Sequence, residues 1–148
     1  MGTLANIFRI LYLIEQLANK VGEDMLTSGN NGMFALGLAK KLQDEGILVK
    51  VKLTFKNHDD IHEVSDLARV DTAIYHVAIE YDDKQYDASG ETRLSKILEL
   101  TDSQYGDFKP SSFSDVDPAD SDVQSIIRNK TKWTKDAAWF YSQLQQIR

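Results

Sequence analysis

The chain has 148 residues, of which 42% are hydrophobic, enough for one buried core and too few for two ordinary domains, so a single domain over residues 1–148 is expected. Twenty-three acidic side chains against seventeen basic ones give a net charge of -6, with no run of Lys and Arg longer than two, which argues against binding nucleic acid through phosphate neutralisation. The absence of cysteine excludes a disulfide framework and thiolate metal sites.

The first element is written in Leu4, Ile7, Phe8, Leu11, Ile14, Leu17, Ala18 and Val21, whose steps of three and four make one face of an amphipathic helix over residues 3–22. The apolar part of that stretch is broken by Arg9, Glu15 and Gln16 and is shorter than the ~20 residues of a membrane span. With no basic leader and no small-residue cleavage site either, the expectation is a cytoplasmic protein with no membrane partner. After the breaker Thr27-Ser28-Gly29, Phe34, Leu36, Leu38, Ala39 and Leu42 predict a second helix from Asn31 to about Glu45, closed by Gly46.

Val49, Val51, Leu53 and Phe55 then alternate with Lys50, Lys52, Thr54 and Lys56, a strand with one inward face and one lysine-rich outward face. Ala73–Tyr81 and Lys84–Ala88 read as a hairpin turned at Asp82-Asp83. Helices are predicted over Thr92–Leu100, near Ser121–Asn129 and over Lys132–Ile147. The polar segment Thr101–Asp120, which holds both prolines, reads as a loop. Trp133, Ala137 and Phe140 are spaced to put one face of the last helix against the core, with an aromatic partner surface as the lesser alternative.

The chemistry-bearing feature is His76 on one strand of the hairpin and Asp87 on the next, a histidine and carboxylate pair of the kind that forms half of a catalytic triad. A nucleophile would belong upstream, where Gly29-Asn30-Asn31-Gly32-Met33-Phe34-Ala35 opens a helix, since unpaired N–H groups and the helix dipole there stabilise a thiolate. No cysteine stands there. His58 and His62, four apart with Asp59 and Asp60 between them, would have ligand spacing only on a helix; they read instead as a solvated loop, and no metal and no cofactor are expected.

In order and context these motifs, Gly-Asn-Asn-Gly-x-x-Ala on a helix start, then His76-Val-Ala-Ile-Glu-Tyr-Asp and Tyr86-Asp-Ala-Ser-Gly, resemble the small papain-like or transglutaminase-like cysteine enzymes over residues ~25–98. The resemblance implies an α+β fold, with N-terminal helices packed on a small antiparallel sheet and C-terminal helices beyond it. It places the nucleophile position at Asn31, the general base at His76 and the orienting carboxylate at Asp87, with Gly29, Asn30 and Gly32 around an oxyanion site. It implies a peptide, protein or small acyl or amide substrate. A carboxamide is not a nucleophile at neutral pH, so acyl transfer through residue 31 should be absent.

Each residue also has a structural reading. Asn30 or Asn31 can cap the helix through its side chain, His76 can be a buried strand histidine, and Asp87 can cap the turn before Gly90. Three functional classes remain. They are a hydrolase or acyltransferase in which the cysteine has been replaced by engineering, a natural pseudoenzyme that binds through the same pocket, and a non-catalytic binding module or inhibitor from a mobile genetic element that retains only the fold.

Overall fold

The structure, a computed structural model, describes residues 2–27, 29–92 and 110–148. It is α+β: a five-stranded antiparallel sheet accompanied by helices. The chain runs through helices α1 (Thr3–Val21), α2 (Glu23–Leu26) and α3 (Asn31–Asp44), then strand β1 (Lys50–Lys56) and a 3₁₀ turn at Val64–Ala68. Strands β2 (Ile74–Tyr81), β3 (Lys84–Asp87), β4 (Gly90–Thr92) and β5 (Pro110–Val116) follow, then helices α4 (Ser121–Lys130) and α5 (Ala137–Gln145). The strand order is β4-β3-β2-β1-β5. None of the described helices is long and apolar enough to cross a membrane.

The strands form where the alternation demands it. Cross-strand pairs Leu53 with Val77 and Val51 with Ile79 put one face of β1 and β2 into a continuous apolar core, which they share with Ile10, Leu13 and Leu17 of α1, Phe34 and Leu38 of α3, and Phe140 and Leu144 of α5. The hairpin between β2 and β3 turns on Asp82 and Asp83 at φ 52° and 61°, the left-handed pair a two-residue type I′ turn requires and a short carboxylate side chain tolerates. That turn sets the register in which Ile79 faces Tyr86.

Three expectations are corrected. The segment read as a loop over Thr101–Asp120 contains β5, which pairs with β1 from Lys56 opposite Pro110 to Val51 opposite Val116; as an edge strand it needs few apolar residues and tolerates a proline at its start. The last helix begins only at Ala137, where the Asp136 carboxylate accepts from the Trp139 N–H at 2.9 Å; Trp133 precedes it, stays exposed, and donates its ring N–H to the Arg128 carbonyl. The outward face of β1 is not uniformly solvated, because Thr54 is fully buried. The helix expected over Thr92–Leu100 lies outside the described residues except for Thr92, which belongs to β4.

Candidate functional site

The β2–β3 register, continued one pair past Ile79 and Tyr86, sets Asp87 across from Ala78, and His76 is two residues along β2 on the same face. That diagonal is within reach of long side chains, and His76 Nε2 donates to Asp87 Oδ2 at 2.9 Å. The face is the one turned away from the Val77 and Ile79 side chains. A bulge beside His76, where β2 inserts Tyr75 between the residues opposite Thr54 and Phe55, interrupts the ladder at this point.

Asp87 is fully engaged. Its Oδ1 accepts from the Ser89 N–H at 2.9 Å and the Ser89 hydroxyl at 2.5 Å, an Asx turn leading into Gly90. Burial by itself pushes the Asp87 carboxyl up, but the hydrogen bonds from His76 and Ser89 and the attraction of His76 together overcome it and hold the carboxyl below its ordinary value. An ionised Asp87 accepts from Nε2 and so fixes a proton on that nitrogen. Nδ1 is buried and has no hydrogen-bond partner among the described residues.

On its other side His76 faces Thr54 of β1, whose Oγ1 lies 3.3 Å from Ser112 Oγ on β5. Ser112, Thr54, His76, Asp87 and Ser89 thus form a polar row across four strands and the following turn. Thr54, Ser112 and Ser89 are absent from the sequence-based site. One signal was present: Thr54 is the single non-lysine among the four outward positions of β1.

The start of α3 is built differently. Asn30 occupies the N-cap position, yet its side chain makes no cap hydrogen bond. Its carboxamide oxygen accepts from the Thr134 N–H at 2.7 Å while its NH₂ donates to the Thr134 hydroxyl at 3.0 Å, so the expected capping bond is replaced by a tie to the segment before α5. Gly29, at φ 94°, lies against the Lys132 carbonyl, which would stand 2.1 Å from an added Cβ; at Gly32 an added Cβ would meet Ile127 of α4 at 2.7 Å. Packing therefore accounts for Gly29, Asn30 and Gly32, the three residues expected around an oxyanion site. Asn31 opens α3 half-buried; α3 packs on the face of the sheet that carries Val77 and Ile79, His76 is on the other face, and among the described residues no hydrogen bond joins the two.

The residues 58–62 are not helical, which removes the spacing a His58 and His62 metal pair needs; the His58 ring instead accepts from the Asp60 N–H at 3.0 Å. Among the described residues no group of three or more His, Cys, Asp or Glu is arranged to hold a metal ion. Comparison with family models, with curated proteins and with solved structures finds no match to this chain. The likeness to cysteine enzymes accordingly rests on its residues and on the pair they form.

Proposed function

We propose that the chain is a non-acylating relative of the papain-like or transglutaminase-like cysteine enzymes, a pseudoenzyme that binds a peptide or amide group at His76 instead of cleaving it. The observation that carries the reading is the division of labour on the imidazole. One nitrogen is committed to Asp87, and the other is buried with no hydrogen-bond partner among the described residues. A buried polar atom without a partner costs stability, roughly 1–3 kcal/mol, so a group that pairs with it on binding is held favourably. An amide N–H delivered by a ligand would satisfy it. Asn31, at the position the resemblance assigns to the nucleophile, begins a helix packed on the opposite face of the sheet, so His76 has no thiol to deprotonate and serves recognition.

The test restores the thiol. Asn31→Cys places the only sulfhydryl of the chain at the start of α3, and alkylation rate against pH should give a thiol pKa below the ~8.5 of free cysteine. Because His76 is on the opposite face of the sheet from α3, the added substitution His76→Ala should leave that value unchanged, whereas His76→Ala in the parent chain should abolish saturable NMR shifts produced by a titrated peptide amide. Peptide-amide shifts that survive His76→Ala would sink the recognition reading.

A further inference from the structure

A cavity of about 450 Å³ opens between α3, α4 and α5, and its lining includes none of Asn31, His76 and Asp87. Its apolar wall is made of Leu36, Gly37, Ala119 and Ala137. Gly37 is needed for that wall: an added Cβ would stand 2.8 Å from both the Ala137 carbonyl and the Phe140 Cβ, so only glycine lets α5 lie this close on α3. The size falls within the ~300–1,000 Å³ range of small-molecule sites.

The charged groups at this cavity are Lys40 from α3, Arg128 from α4 and Asp44 from the end of α3. The Asp44 carboxylate accepts from the Tyr141 hydroxyl, and the Lys40 ammonium lies 4.3 Å from the centre of the same Tyr141 ring. Neither Lys40 nor Arg128 has a carboxylate within ion-pair distance among the described residues. In a chain of net charge -6, two cations from different helices line one cavity against the single carboxylate of Asp44, which the Tyr141 hydroxyl already occupies. We infer that this cavity binds a carboxylate carried on a short apolar body, with Arg128 and Lys40 holding the carboxylate and the Leu36–Gly37–Ala137 wall taking the body. The planar fork of Arg128 matches two carboxylate oxygens, and the Lys40 point charge adds to it from across the opening.

Butyrate, n-butanol and inorganic phosphate, titrated separately into the intact chain and followed through backbone amide NMR shifts, test the inference. Butyrate should give saturable shifts at Gly37 and Ala138 and butanol none. Lys40→Gln/Arg128→Gln should weaken butyrate by about tenfold or more with the melting temperature retained, the loss of charge-assisted bonds. Ala138→Phe, which fills the opening from an exposed position and leaves both charges in place, should abolish binding. A tripeptide with a free C-terminal carboxylate and its amide separate the two sources of this chemistry: a free tripeptide that outcompetes butyrate, with a silent amide, supports a chain terminus, and the reverse ranking supports a small acid. Phosphate binding as tightly as butyrate, shifts that do not saturate, or butyrate binding that survives both variants would overturn the inference.

Discussion

The start of α3 and the His76–Asp87 pair were candidates for two halves of one site, and their polar groups are treated in opposite ways. At the α3 start the Asn30 carboxamide is 3% exposed and spends both ends on Thr134, while Gly29 and Gly32 are held by close approach of Lys132 and Ile127. At the strand pair, Asp87 is saturated, but among the described residues one buried nitrogen of His76 has no partner. The Asn30 groups are paired within the fold, whereas His76 Nδ1, like Asn6 Oδ1, Gln85 Oε1 and Tyr86 OH, is buried with no partner among the described residues, and it alone of these stands beside an ionised carboxylate on the polar row.

The sharpest way to break this comparison is at Gly29. At φ 94° against the Lys132 carbonyl, Gly29→Ala combines backbone strain with a clash, and a urea titration should show a loss of about 3 kcal/mol. A neutral outcome would mean the α3 start is not braced by this contact and is free for another role. Asn30→Ala should come next, at roughly 1–3 kcal/mol, because it strands the Thr134 N–H; retention of wild-type stability would remove the contrast between the two regions.

His76→Ala should cost roughly 1–2 kcal/mol, since its ring and Asp87 are both largely shielded but Ser89 continues to serve the carboxylate. A loss well above that, seen in the same titration, would recast His76 as a packing residue and undo the unpartnered nitrogen as a functional mark. The smallest effect concerns pH. The Asp87 carboxyl ionises at lower pH in the folded chain than in the unfolded one, so its stabilisation is complete above the ordinary carboxylate range near ~4 and is lost as pH falls below it through the folded value. Melting temperatures of Asp87→Asn against the parent should therefore converge in that acid range and separate above it. Parallel curves down to the lowest pH would show that His76 and Ser89 do not bias the ionisation.

Much of the fold was legible from local pattern. The 3-4 spacing gives α1 and α3 within a residue or two at each end, the alternation gives β1, and Asp82-Asp83 between two alternating runs gives the hairpin. The strand β5 was not legible, since an edge strand carrying Pro110, Ser111, Ser112 and Ser114 has the composition of a loop and takes its structure from pairing with β1. At the site, the hairpin turn placed His76 and Asp87 in reach of each other because the side-chain period of a strand is two, so counting residues from the turn assigns each to a face.

By itself, then, the sequence determined which residues form elements, where the hairpin turns, and that a histidine and an aspartate share one strand face, all of which follow from periodicities of two and 3.6 and from turn chemistry acting over a few residues. Tertiary structure alone decided that Asn30 bonds to Thr134, 104 residues away, instead of capping its own helix, that Thr54 is buried beside His76, and that one imidazole nitrogen has no partner among the described residues. Those outcomes depend on which distant donors and acceptors arrive at the same point, and no local pattern encodes the arrival of a segment from the other end of the chain.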